Sequence, residues 1–209
     1  MSEGSLSSMQ DLYTSMVPYP RIQFMVPSMV CPAPSTSRPQ QDLAPVEMAF
    51  RTFDSDCCLL GANPLGKRVM ATSCFVRGDP RIADLKAAYT SVLSHPAVMW
   101  TDWSPKTMNY CVDRRPGVER AAQSGVFASD SMATTLVSGG VIGDVFSALN
   151  RRFDLMYAQR GCAQWFVGEG MQESEFSQAR EDLAALEKDY EEICIMTSDG
   201  AEDDYDAQE

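Results

Sequence analysis

The chain of 209 residues is long enough for one generous domain with an appendage, and its hydrophobic fraction of 44% is that of a globular protein. Its formal net charge of −12 is uneven: residues 1–168 hold 15 Lys and Arg against 14 Asp and Glu, whereas residues 169–209 hold 2 against 15. A neutral body offers no basic face for nucleic acid, no apolar run reaches the ~18 residues that cross a bilayer, and the acidic end suits a basic partner.

Along the chain, Leu6, Met9, Leu12 and Met16 share one face at helical spacing, and Pro18 and Pro20 stop that helix. "RIQFMV" (21–26) reads as a short strand and "CPAPSTSRPQQ" (31–41) as a Pro/Ser loop. "LAPVEMAFRTF" (43–53) predicts a helix started by Pro45, and "RVMATSCFV" (68–76) a buried strand. In "PRIADLKAAYTSVLSH" (80–95) Ile82, Leu85, Ala88, Tyr89, Val92 and Leu93 line one face of an amphipathic helix. "VMWTDW" (98–103) and "MNYCV" (108–112) read as strands, and residues 112–140 stay ambiguous. Gly139, Gly140 and Gly143 lack the strand–turn–helix setting of a dinucleotide fingerprint and read as a flexible entry to the next helix. That helix, from Gly143 to Phe166, is broken at Gly161, and "VGEGM" turns the chain. Phe176, Ala179, Leu183, Leu186, Tyr190 and Ile193 then form a seam, with Glu181, Asp182, Asp189 and Glu192 on the opposite face. Beyond Cys194 the acidic composition predicts a disordered tail.

"GANPLGKR" (61–68) comes within one residue of a phosphate-binding loop, with Arg68 where Ser or Thr would meet Mg²⁺. A phosphate loop needs a helix after it, and here a β-branched apolar run takes that place; Pro64 also removes an amide from the cradle. The stretch therefore reads as a turn into a strand. The seven cysteines lack C-x-x-C pairing and read as reduced thiols of a cytosolic protein, and the N-terminus lacks the pattern of a secretory signal. His95, the only histidine, precedes Pro96 and suits a helix end rather than a catalytic site. "RGD" (77–79) reads as a turn after a strand.

"MVPYPRIQF" (16–24), "FDLMYAQR" (153–160), "WFVGEGM" (165–171) and "EFSQAREDLAALEKDYEE" (175–192), followed by an acidic tail, closely resemble the C-terminal half of α-tubulin. "GKRVMATSCFVRGD" (66–79) and "TDW" (101–103) are similar to the corresponding family segments. The resemblance implies an α+β fold: a two-layer α/β sandwich with a mixed sheet, followed by a C-terminal α-helical hairpin and a disordered acidic tail. It divides the chain into a connecting helix (1–17), the sandwich (18–140), the hairpin (141–194) and the tail (195–209).

The same resemblance implies a structural constituent of microtubules in the cytoplasmic cytoskeleton, with β-tubulin, other tubulin subunits, motors and microtubule-associated proteins as partners, and neither nucleic acid nor membrane. GTP and Mg²⁺ are implied for the full-length family, whose GTP-binding domain has no counterpart here, so no cofactor is expected on this chain alone. Aligning on "VPYPR" puts Asp11 where the family carries a glutamate that helps activate water at GTP held by the next β subunit; a second acidic residue of that helix is Ser8 here. Asp11 is thus the candidate catalytic residue, acting in trans. Glu181, Asp182, Asp189 and Glu192 are the candidate partner-binding residues, on a ridge where the family receives motors and associated proteins. A third reading is a regulatory module whose acidic hairpin sequesters basic partners. The end "YDAQE" lacks the family's terminal tyrosine, with Tyr205 four residues inside.

Overall fold

The computed structural model describes residues 9–31, 45–78, 80–104, 108–114 and 131–195. The Pro/Ser loop and the tail beyond Ile195 fall outside the described residues, apart from Cys31. Among the described residues four strands form one mixed sheet in the order β1–β4–β2–β3: β1 (Val26–Val30), β2 (Val69–Arg77), β3 (Met108–Asp113) and β4 (Met132–Gly139). β4 is antiparallel to both β1 and β2, and β2 is parallel to β3. The helices are α1 (Met9–Met16), α2 (Pro45–Arg51), α3 (Ile82–Ser94), α4 (Val141–Ala158), α5 (Ala163–Gly168) and α6 (Glu173–Ile195). Helices layered on a mixed sheet make the fold a two-layer α/β sandwich.

Strand alternation sorts the core. Cys74 and Val76 of β2, Ala133 of β4, and Met108 and Tyr110 of β3 face Met48 and Ala49 of α2 and Leu85, Ala88 and Tyr89 of α3, leaving a space of only about 20 Å³ between them. A buried hydroxyl chain crosses this layer: Thr135 of β4 donates to Thr52 at 2.8 Å, and Thr52 donates to the Ala49 carbonyl at 2.7 Å. On the opposite face, α1 meets β2 where the Ser73 hydroxyl donates to the Met16 thioether at 2.9 Å. His95 caps the C-terminal end of α3; its Nδ1 accepts the Ala97 N–H at 3.2 Å and its ring lies 5.0 Å from that of Phe50.

The structure departs from the sequence reading in five places. The first strand starts at Val26 rather than Arg21, because the backbone of Ile22 is held in a turn by the Tyr19 carbonyl at 2.9 Å. Residues 98–103 form no regular strand: only Trp100 bridges to Val69, flanked by bonds Val69 N–H to Met99 and Thr101 N–H to Val69. The ambiguous region contains β4, which lies between β1 and β2. The stripe on α1 is buried only at its end, with Met16 fully buried and Met9 81% exposed. Gly139 and Gly140 are not a flexible entry but a packed junction. A Cβ on Gly139 would lie 2.6 Å from the Arg68 carbonyl oxygen, and one on Gly140 would collide with the Cys194 sulfur.

Gly139→Ala is expected to cost about 1–3 kcal/mol, since its methyl meets fixed backbone. Gly168→Ala, at the end of a helix with nothing within 4 Å of the new methyl, should instead be neutral or gain up to ~1 kcal/mol. Urea unfolding midpoints of the two variants check this; a common midpoint would refute the packed junction.

Candidate interaction surface

The C-terminal hairpin is built by explicit stop and start signals. α4 ends where Arg160 adopts φ 49° and the Gly161 N–H reaches back to the Met156 carbonyl at 3.1 Å. α5 ends in the same way at Gly170, with φ 98° and the Met171 N–H on the Phe166 carbonyl at 3.1 Å; here a glycine supplies the left-handed residue. At the start of α6 the Glu175 carboxylate accepts the Gln172 N–H at 3.3 Å, half of a capping box.

α6 runs antiparallel to α4, and the pairs between them fix the register. The Arg180 guanidinium grips Asp154 through two bonds of 2.7 and 2.8 Å, and Asn150 donates to Glu187 at 2.6 Å. Arg180 holds the Asp154 carboxyl below the ordinary carboxylate range. Phe153, Tyr157, Phe166 and Phe176 form an aromatic cluster with ring separations of 5.3 to 6.5 Å. In the seam read from sequence, Tyr190 and Ile193 are buried, Phe176, Leu183 and Leu186 half-buried, and Ala179 exposed.

Three contacts dock the hairpin on the body. Tyr190, fully buried, accepts the Phe24 N–H at its hydroxyl at 3.2 Å, and its ring lies 6.0 Å from Phe146, which in turn receives Phe24 edge-on at 5.1 Å. Arg21 pairs with Asp189 at 3.1 Å, and Lys67 pairs with Asp144, in the first turn of α4, at 2.6 Å. The bond to Asp144 raises the Lys67 ammonium above its usual range against the opposing effect of burial.

Of the acidic residues read as a docking ridge, Glu181 and Asp182 are exposed, and Glu192 is exposed beside Lys188 at 3.7 Å. Asp189 is half-buried and turned to Arg21. All four lie on α6. Asp11 lies on a different element, in the first turn of α1, and is exposed. Arg21, Asp144 and Lys67 escaped the sequence reading because their partners lie far along the chain.

At residues 61–68, Gly61 takes φ 62°, the Asn63 side chain accepts the Leu65 N–H at 3.1 Å and the Gly66 N–H bonds to the Asn63 carbonyl at 3.0 Å. β2 comes directly after, with Lys67 on Asp144 and Arg68 on Asp102 at 2.8 Å. These residues do not fit a triphosphate cradle, since their amides fold onto their own turn and an extended strand stands where the helix should be. Among the described residues no cluster of three or more His, Cys, Asp or Glu side chains suits a metal ion. All seven cysteines are unbridged, and burial pushes the Cys74 thiol up.

No family model matches the chain. Over an alignment of 213 residues it is 35% identical to the tubulin alpha-3 chain of Zea mays, with 99% of this chain covered. The chain is an α-tubulin homologue. It spans 45% of the length of that relative. In this tubulin-like chain the hairpin docks chiefly through Tyr190, whose burial pushes its phenol up to about 12 against the opposing effect of the Phe24 N–H.

Because the folded phenol stays protonated where the unfolded one, near 10, has ionised, stability is full below pH 10 and falls between pH 10 and about 12. The loss attributable to Tyr190 is expected to be about 1.4 kcal/mol for each pH unit crossed. Tyr190→Phe should cost roughly 1 kcal/mol at pH 8 and remove that part of the alkaline slope. Denaturant unfolding of both proteins from pH 8 to 11.5 checks it; parallel slopes would refute the assignment.

Proposed function

We propose that the chain acts as an α-tubulin-type structural subunit, a microtubule constituent of the cytoplasmic cytoskeleton that works by association. On this reading its partners are β-tubulin, further tubulin subunits, and microtubule-associated proteins and motors. The observation that carries it is the 35% identity to an α-tubulin across the whole chain. The division into connecting helix (1–17), sandwich (18–140) and hairpin (141–194) belongs to the same reading. GTP and Mg²⁺ belong to the full-length family, and residues 61–68 of this chain do not hold them.

Within this function Glu181, Asp182 and Glu192 supply the acidic ridge. Their exposure on a helix fixed by Arg180 and Tyr190 supports the assignment, as carboxylates held at fixed spacing attract and orient basic partners. Asp189 shares its charge with Arg21 and contributes mainly by holding the ridge in place. Pull-down of a basic microtubule-associated protein at low salt is expected to weaken roughly tenfold in the double variant Glu181→Lys, Asp182→Lys, with β-tubulin association unchanged. Unaltered capture by the double variant would count against the ridge.

Asp11 is the residue we assign to the trans role toward GTP on a neighbouring β subunit. Its exposure on α1 supports access, and a carboxylate there can orient an attacking water or accept its proton. Asp is one methylene shorter than the family's Glu, which shifts the carboxylate by ~1 Å and predicts a modest contribution. GTP turnover by the β partner is expected to fall several-fold with Asp11→Ala and to rise with Asp11→Glu; equal rates for all three chains would sink the role.

A further inference from the structure

α1 is held to the body at one end. Of its residues only Met16, the last, is buried, while Met9 at its start and Tyr13 midway are exposed. Its main packing partner is β2. There the Ser73 hydroxyl, itself fully buried, donates to the Met16 sulfur at 2.9 Å. Ser73 is fixed within the sheet, in register with Leu136 of β4 on one side and Asn109 of β3 on the other. Just past the helix the Tyr19 ring lies 5.7 Å from that of Trp103. Both anchors sit at the C-terminal end of α1, so the helix is a lever whose pivot is Met16.

We propose that Ser73 is a positioning residue: its bond to the Met16 sulfur sets the orientation of α1 and, through it, the place of the Asp11 carboxylate. The inference rests on the trans role assigned to Asp11 and adds the contact that aims it. Methionine is unbranched and adaptable, so apolar packing alone leaves its rotamer loosely specified. A buried hydroxyl costs free energy unless it is bonded, and the thioether, though a weak acceptor, is the partner the Ser73 hydroxyl takes. That bond ties the Met16 sulfur to one position on a rigid strand. Because the rest of α1 lies outside the core, the rotamer of Met16 decides the rotation and tilt of the helix. Asp11 precedes Met16 by five residues, about 7.5 Å along the axis, so a tilt of roughly 10° displaces it by about 1.3 Å. A shift of that size costs a positioned carboxylate much of its effect.

The contact is read first in the full chain, from the methyl NMR resonance of Met16, assigned by its loss in Met16→Leu. Ser73→Ala is expected to move that resonance toward the position of a rotamer-averaged methionine, whereas Asp11→Ala leaves it in place. An unmoved signal in Ser73→Ala would overturn the proposal. The second reading is GTP turnover by β-tubulin mixed with the chain. At saturating chain Ser73→Ala is expected to lower turnover several-fold, with the half-saturating concentration of chain unchanged. Met16→Leu should do the same, and Ser73→Cys, which keeps a weak S–H donor, should restore part of the rate. In the Asp11→Ala background Ser73→Ala should have no further effect, since the group it positions is gone. An additional several-fold loss there would reveal a general packing defect and overturn the positioning role. If Asp11→Ala slows turnover and Ser73→Ala does not, the positioning role alone fails; if Asp11→Ala has no effect, the trans role fails and takes this inference with it.

Discussion

Tyr190 reaches the backbone of the 21–24 segment only because α4 begins with glycines where α6 crosses it. A Cβ on Gly143 would lie 3.3 Å from the Tyr190 Cβ, and one on Gly140 would collide with Cys194. Removing those methyl groups lets the two helices close until the phenol hydroxyl meets the Phe24 N–H and the ring meets Phe146. The neighbouring glycine pair terminates β4, since the Gly139 position abuts the Arg68 carbonyl and the Gly140 N–H donates to it at 3.1 Å. Sheet, strand-to-helix turn and hairpin are therefore locked at one point. The free energy of ordering so much chain is recovered there by burying a large aromatic with its one polar atom satisfied.

Much of this fold is legible in the chain, for identifiable reasons. α3 and α6 repeat apolar residues every three or four positions over more than three turns, so their buried faces follow from periodicity alone. β2 is a run of small, β-branched and apolar residues buried on both faces, which its composition announces. The strand β4 is illegible because "MATTLVSG" mixes threonines with apolar residues rather than alternating cleanly. Thr135 is buried, and its bond to Thr52 beside α2 helps to make that tolerable. Sequence cannot announce a partner 83 residues away.

The glycines at 139–140 mislead for a related reason. Glycine in a turn and glycine under a crossing helix look alike in one dimension, and only the approach of Arg68 and Cys194 separates them. At residues 61–68 the contrast runs the other way, because the run after the glycines declares itself by its β-branched composition as a strand and not a helix. The acidic ridge is legible as charge but not as geometry. Glu181 and Asp182 stand in solvent, while Asp189 is turned inward by Arg21, a residue 168 positions earlier.

That inward pairing explains how a chain so acidic at one end holds its hairpin in place. Cations are matched to single carboxylates, Arg21 to Asp189 and Lys67 to Asp144 where the hairpin docks on the body, and Arg180 to Asp154 between its two helices. Exposed pairs of this kind add little net stability, so their main effect is positional: they set the rotation of α4 and α6 about their axes. Once the inner carboxylates are matched, the charge that remains is sorted by face, with Glu181 and Asp182 on α6 and Arg151 and Arg152 on α4. The packing of Tyr190 against Gly143, by fixing which side each helix presents, is what makes that sorting a property of the fold rather than of the composition.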